Sequence, residues 1–119
     1  MLLEYLVFVM AVGRARGKFR VPAPATTGHP EFERFFRVQM NTLENLIIVI
    51  PSMWIFARYV SEPIAAILGL VFIAGRAVYF LSYTRDPKTR GWGYMISSLP
   101  MLALLIGALL GPALAWLNR

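Results

Sequence analysis

The chain has 119 residues, 58% of them hydrophobic, a mean hydropathy of +0.61 and a formal charge of +6. Soluble domains carry roughly 45–50% apolar residues, so the composition argues against an ordinary soluble fold and for one small polytopic membrane domain. With no cysteine and a single histidine, disulfides, thiolate metal sites and a protein thiol nucleophile are excluded, and few transition-metal ligands remain.

Four apolar segments follow one another: Met1 to Gly13, Leu43 to Ala57, Ile64 to Tyr83 and Tyr94 to Leu117. The third and fourth reach the roughly 20 residues a helix needs to cross a bilayer. The first is short and carries Glu4. It reads as a helix continuing through Gly13-Arg14-Ala15-Arg16, as a span in a thinned bilayer, or as a start that lacks residues. It also resembles a signal-peptide core, but no small-residue cleavage site follows. After it, V-P-A-P-A-T-T-G-H-P-E-F-E-R holds Pro22, Pro24 and a Thr26-Thr27-Gly28 turn, an ordered non-helical crossing. His29 in that crossing reads as a turn residue. Pro30 with Glu31 and Glu33 marks a helix start, since proline suits the first turn and carboxylates oppose the dipole there. Started this early, the second helix is long enough to span. Late in the fourth segment, Gly107 and Gly111 form a close-packing G-x-x-x-G pair. The expectation is an all-α integral membrane four-helix bundle, a single domain with spans at about residues 1–14, 34–59, 63–84 and 93–117.

Charge is lopsided along this plan. Arg14, Arg16, Lys18, Arg20, Arg34 and Arg37 follow the first segment, and Arg85, Lys88 and Arg90 follow the third, while the remaining loop and the C-terminus offer only Arg58 and Arg119. Four spans put the two basic connections on one side, which the positive-inside rule makes cytoplasmic. Topology thus absorbs the basic balance, and a nucleic-acid partner loses its support. The expected location is a multi-pass position in a bacterial inner membrane.

Polar residues inside a span need a reason. At about 100° per residue, Arg37, Asn41 and Glu44 share one face of the second helix, and Gln39 points to the other side. Arg76, Tyr79 and Tyr83 form a similar stripe on the third. Both stripes lie near one leaflet. They suit a small zwitterion with carboxylates and an amine, held by arginines, a carboxylate and phenols. They equally suit an interhelical Glu44–Arg76 ion pair with Asn41 as a helix–helix bond, and Tyr79 and Tyr83 as interface aromatics.

The run A-R-G-K-F-R-V-P-A-P-A-T-T-G-H-P-E-F-E-R-F-F-R-V-Q-M-N-T-L-E and the later G-R-A-V-Y-F-L-S-Y-T-R resemble the MAPEG family, the membrane-associated proteins in eicosanoid and glutathione metabolism. The similarity covers roughly Ala15 to Trp116. It leans toward the microsomal glutathione transferases and leukotriene C synthase rather than the non-catalytic arachidonate-presenting member. It implies a homotrimer with three glutathione sites at subunit interfaces. Carried over, the glutathione contacts are Arg16, Arg37, Gln39, Asn41, Glu44, Arg76, Tyr79 and Tyr83, and the thiolate-stabilising arginine falls on Arg90. The implied activity is detoxification, with thiolate attack on a lipophilic electrophile or reduction of a lipid hydroperoxide, glutathione being the co-substrate and no metal taking part. The sequence departs from the eukaryotic enzymes at Asn45, Ile47 and Gly17, where those carry tyrosine, proline and arginine. The rival implications are a non-catalytic lipid-binding or scaffold trimer of the same fold, and a small membrane protein whose basic loops bind anionic lipid.

Overall fold

The computed structural model describes residues 1–119 as four helices and one short turn of 3-10 helix. The helices are α1 (Leu2–Phe19), α2 (Pro30–Tyr59), α3 (Glu62–Arg85) and α4 (Gly91–Leu117). They form an elongated bundle of 59 × 27 × 18 Å. Three helices, α2, α3 and α4, are long and apolar enough to cross a membrane. The fourth, α1, has 18 residues and runs on through Gly13 to Arg16, the first of the readings open in the sequence. At the basic end the helices run past the expected spans, α1 on to Phe19, α2 from Pro30 and α3 on to Arg85, because charged residues that hydropathy discounts remain helical there.

The helix ends are set by local chemistry. At α1, Arg20 takes the left-handed conformation at φ 56°, and its N–H returns to the Arg16 carbonyl. His29 caps α2: its Nδ1 accepts the Glu31 N–H at 3.2 Å, Pro30 takes the first turn, and its ring stacks 4.4 Å from Phe19. The turn residue of the sequence reading is therefore a capping residue as well. Ser61 caps α3 by accepting the Ile64 N–H, and Asp86 caps the turn Pro87–Thr89 by accepting the Lys88 N–H.

Packing is layered along the long axis. Leu46, Val49 and Phe56 of α2 meet Ala65 and Phe72 of α3 and Leu104 of α4 in the main core. Val12, Ala15, Val21 and Phe32 hold the first connection onto α1 and α2. Close approach rests on glycine. A Cβ at Gly93 would run into the backbone of Tyr79, one at Gly75 into that of Ser97, and one at Gly107 into the Phe56 ring. Gly107 thus seats α4 on α2, and Gly75 and Gly93 draw α3 and α4 together. Outward, Leu70, Trp54 and Leu109 are at least 65% exposed, as suits a surface solvated by lipid tails.

Candidate functional site

The two basic connections meet at one end of the bundle, where Arg34 Nη1 donates to the Arg85 carbonyl at 3.3 Å. Beside this contact lies a pocket of about 450 Å³, lined by Thr26, Thr27, Glu33 and Arg34 as well as Arg37 and Tyr83. From its rim a chain of contacts descends into the bundle. The Arg90 guanidinium lies 5.7 Å from the Tyr83 ring centre, and Tyr83 stacks on Tyr79 at 5.5 Å. The Arg76 guanidinium lies 4.2 Å from the Tyr79 ring centre, and its Nη1 donates to Asn41 Oδ1 at 2.8 Å. Arg90, Tyr83, Tyr79, Arg76 and Asn41 form one continuous path from water to the interior.

The nine candidate residues divide into three groups. Arg37, Glu44 and Arg90 are exposed, with Tyr83 and Asn41 partly so. Arg37 and Glu44 share an outward face of α2 and are not enclosed by the other helices of the chain. Arg76 and Tyr79 are buried at 0% and 4% exposure. Arg76 fixes Asn41 and the Tyr79 ring, while its Nε and Nη2 are buried without a hydrogen-bond partner. Arg76 bonds Asn41 rather than Glu44, so the interhelical ion pair of the sequence reading does not form.

Arg16 and Gln39 are engaged elsewhere. Arg16 Nη1 donates to the Ala25 carbonyl at 2.6 Å and its guanidinium lies 4.9 Å from the Phe32 ring centre, tying the first connection to α1 and α2. Gln39 Nε2 donates to the Tyr5 hydroxyl at 3.2 Å, which agrees with its lying off the Arg37–Glu44 face. Arg90 is brought to Tyr83 by a turn rather than by α3 itself. The third helix stops at Arg85, and the 3-10 turn carries the chain back to place Arg90 just before α4. Thr89 Oγ1 donates to the Asp86 and Ser82 carbonyls and holds that turn on α3. No group of three or more His, Cys, Asp or Glu side chains gathers to hold a metal.

Reasoning from spans missed Thr26, Thr27, Glu33 and Arg34 as pocket walls. Their signal was present in the T-T-G-H-P-E-F-E-R run, read only as turn and helix start. Tyr5 was missed too, because a lone tyrosine in an apolar helix gives no cue to a Gln39 partner.

The chain matches the MAPEG family over residues 1–110. It belongs to that family. It is 49% identical over 106 residues to an uncharacterised protein of Synechocystis sp., an alignment covering 89% of this chain and 77% of the relative. It is 46% identical over 104 residues to human microsomal glutathione S-transferase 2, covering 86% and 70% of the two chains. Guinea-pig (Cavia porcellus) leukotriene C4 synthase is 38% identical over 104 residues, covering 87% and 69%. In this MAPEG chain Asn45, at the first of the departures from the eukaryotic pattern, is 9% exposed and packs into the bundle. Glu44, one residue earlier, is exposed.

Proposed function

We propose that this protein is a membrane-bound glutathione transferase that activates glutathione as thiolate for attack on lipophilic electrophiles. The observation that carries the reading is the Arg90–Tyr83–Tyr79–Arg76–Asn41 path beside Arg37 at the basic end. Similarity to glutathione S-transferase 2 supports it.

In this reading the tripeptide lies at the basic end against exposed Arg37 and Glu44. Arg37 takes a carboxylate through its planar fork, Glu44 takes the ammonium, and Asn41, oriented by Arg76, offers its amide. Tyr83, which lines the same pocket as Arg37, offers a hydroxyl. A free thiol has a pKa of about 8.5, so little thiolate exists at neutral pH. The Arg90 guanidinium stabilises the negative sulfur and the proton leaves to water. The thiolate then attacks an electrophilic carbon arriving from the bilayer: a C–S bond forms, and the bond to the leaving group or epoxide oxygen breaks. With a lipid hydroperoxide, two glutathiones are oxidised to the disulfide while the O–O bond is reduced to an alcohol and water.

Arg37 and Glu44 face out of the protomer, which fits a homotrimer whose neighbours close each site. The basic residues of the two connections support a cytoplasmic position for the site under the positive-inside rule. The test is calorimetric titration of detergent-solubilised protein with glutathione, followed by turnover with chlorodinitrobenzene. Saturable binding with thiol-dependent turnover is expected. Absence of glutathione binding in the intact oligomer overturns the reading in favour of a non-catalytic lipid-binding or scaffold trimer.

A further inference from the structure

A second cavity, a groove of about 730 Å³ between α1, α2 and α3, shares no residue with the pocket at Arg37 and contains none of the candidate glutathione contacts. Its apolar length is formed by Val7 and Met10 of α1, Phe35 of α2 and Phe80 of α3, with Arg14 and Lys18 at its polar end. Arg14 and Lys18 are exposed and spaced i, i+4, so they stand one turn apart on the same side of α1. From Val7 to Lys18 the helix rises about 16 Å at 1.5 Å per residue. That matches about 15 Å for one leaflet of a hydrocarbon core some 30 Å thick. The two cations thus sit at headgroup level when the apolar residues sit among the tails. Glu31 also lines the polar end, but it stands in the first turn of α2, where its charge opposes the helix dipole. Two cations against one committed carboxylate leave the end net positive.

We propose that this groove holds one anionic phospholipid per protomer, its phosphate between Arg14 and Lys18 and one acyl chain along Val7, Met10, Phe35 and Phe80. Charge complementarity and the one-leaflet length together favour a lipid over a partner helix. The proposal does not depend on the glutathione reading, because no residue is shared.

Delipidated protein in detergent is titrated with phosphatidylglycerol or phosphatidylcholine, and bound lipid is counted by native mass spectrometry. One phosphatidylglycerol per chain should persist where phosphatidylcholine is lost. Arg14→Gln with Lys18→Gln should lower phosphatidylglycerol retention about tenfold, to the phosphatidylcholine level, with helical content and glutathione response as in the parent. Ala11→Phe, which fills the groove wall, should reduce both lipids. Equal retention of the two lipids by the parent, or full phosphatidylglycerol retention by the double variant, overturns the proposal. The chain has no cysteine of its own, so maleimide labelling of Ala11→Cys reports on the groove alone. Lipid-filled grooves should label only after delipidation. Labelling that stays blocked in the delipidated oligomer shows that a second copy covers the groove, and likewise overturns the proposal.

Discussion

At the scale of single residues, position relative to the protein surface separates ligand clamps from structural polar groups. Arg37 and Glu44 are exposed and free of any partner that their removal would orphan. Arg37→Met or Glu44→Gln should therefore weaken glutathione binding by about 1–3 kcal/mol, the range for charged hydrogen bonds, and leave assembly intact by sedimentation in detergent. Arg76 and Asn41 should behave differently. Asn41→Ala leaves a buried guanidinium without its one hydrogen-bond acceptor, which should cost about 1–3 kcal/mol of stability in thermal unfolding. Arg76→Met removes the buried charge itself and should cost less stability than Asn41→Ala. It should still lower glutathione affinity, because Asn41 and Tyr79 lose the group that orients them. Equal affinity in Arg76→Met and the parent would count against that positioning role.

At the scale of elements, the contact between α3 and α4 controls where Tyr79 sits. Gly93→Ala places a methyl against the Tyr79 backbone, and forcing atoms into such a contact costs about 1–3 kcal/mol. The variant should lose thermal stability and glutathione affinity together. Gly91→Ala meets nothing within 4 Å and should match the parent in both measurements. The apolar segments, the proline-marked start of α2 and the shared polar face of Arg37, Asn41 and Glu44 were legible in the sequence, because helical period and bilayer length set them. The use of Gly75 and Gly93 was not, since a lone glycine does not show which backbone it meets. The bonds of Arg16 to Ala25 and of Gln39 to Tyr5 were equally hidden: each joins groups whose proximity exists only after α1 and the first connection pack. The turn that delivers Arg90 was hidden because R-D-P-K-T-R reads as a solvated loop until the Thr89 bonds to α3 are known.

At the scale of the whole molecule, one protomer gives a polar path at its basic end and an outward face bearing Arg37 and Glu44, and the proposed enclosure needs neighbours. Detergent-solubilised protein should be a trimer with up to three glutathione sites, measured by light scattering and calorimetry on the same sample. A monomer binding glutathione at full affinity would sink the interface account. The central claim, that this basic end makes and holds a thiolate, is tested most directly by ultraviolet thiolate absorbance of glutathione-loaded protein across pH, for the parent and for Arg90→Ala. In the parent, thiolate should appear with a midpoint below the free-thiol value of about 8.5. Loss of the Arg90 charge removes an attraction that favours the anion, so the midpoint should rise, neutral-pH turnover should fall, and part of the activity should return at alkaline pH. Lys at position 90 should restore some of the shift through charge alone. An Arg90→Ala protein with full glutathione binding, unchanged thiolate absorbance and an unchanged pH–rate profile would contradict the account.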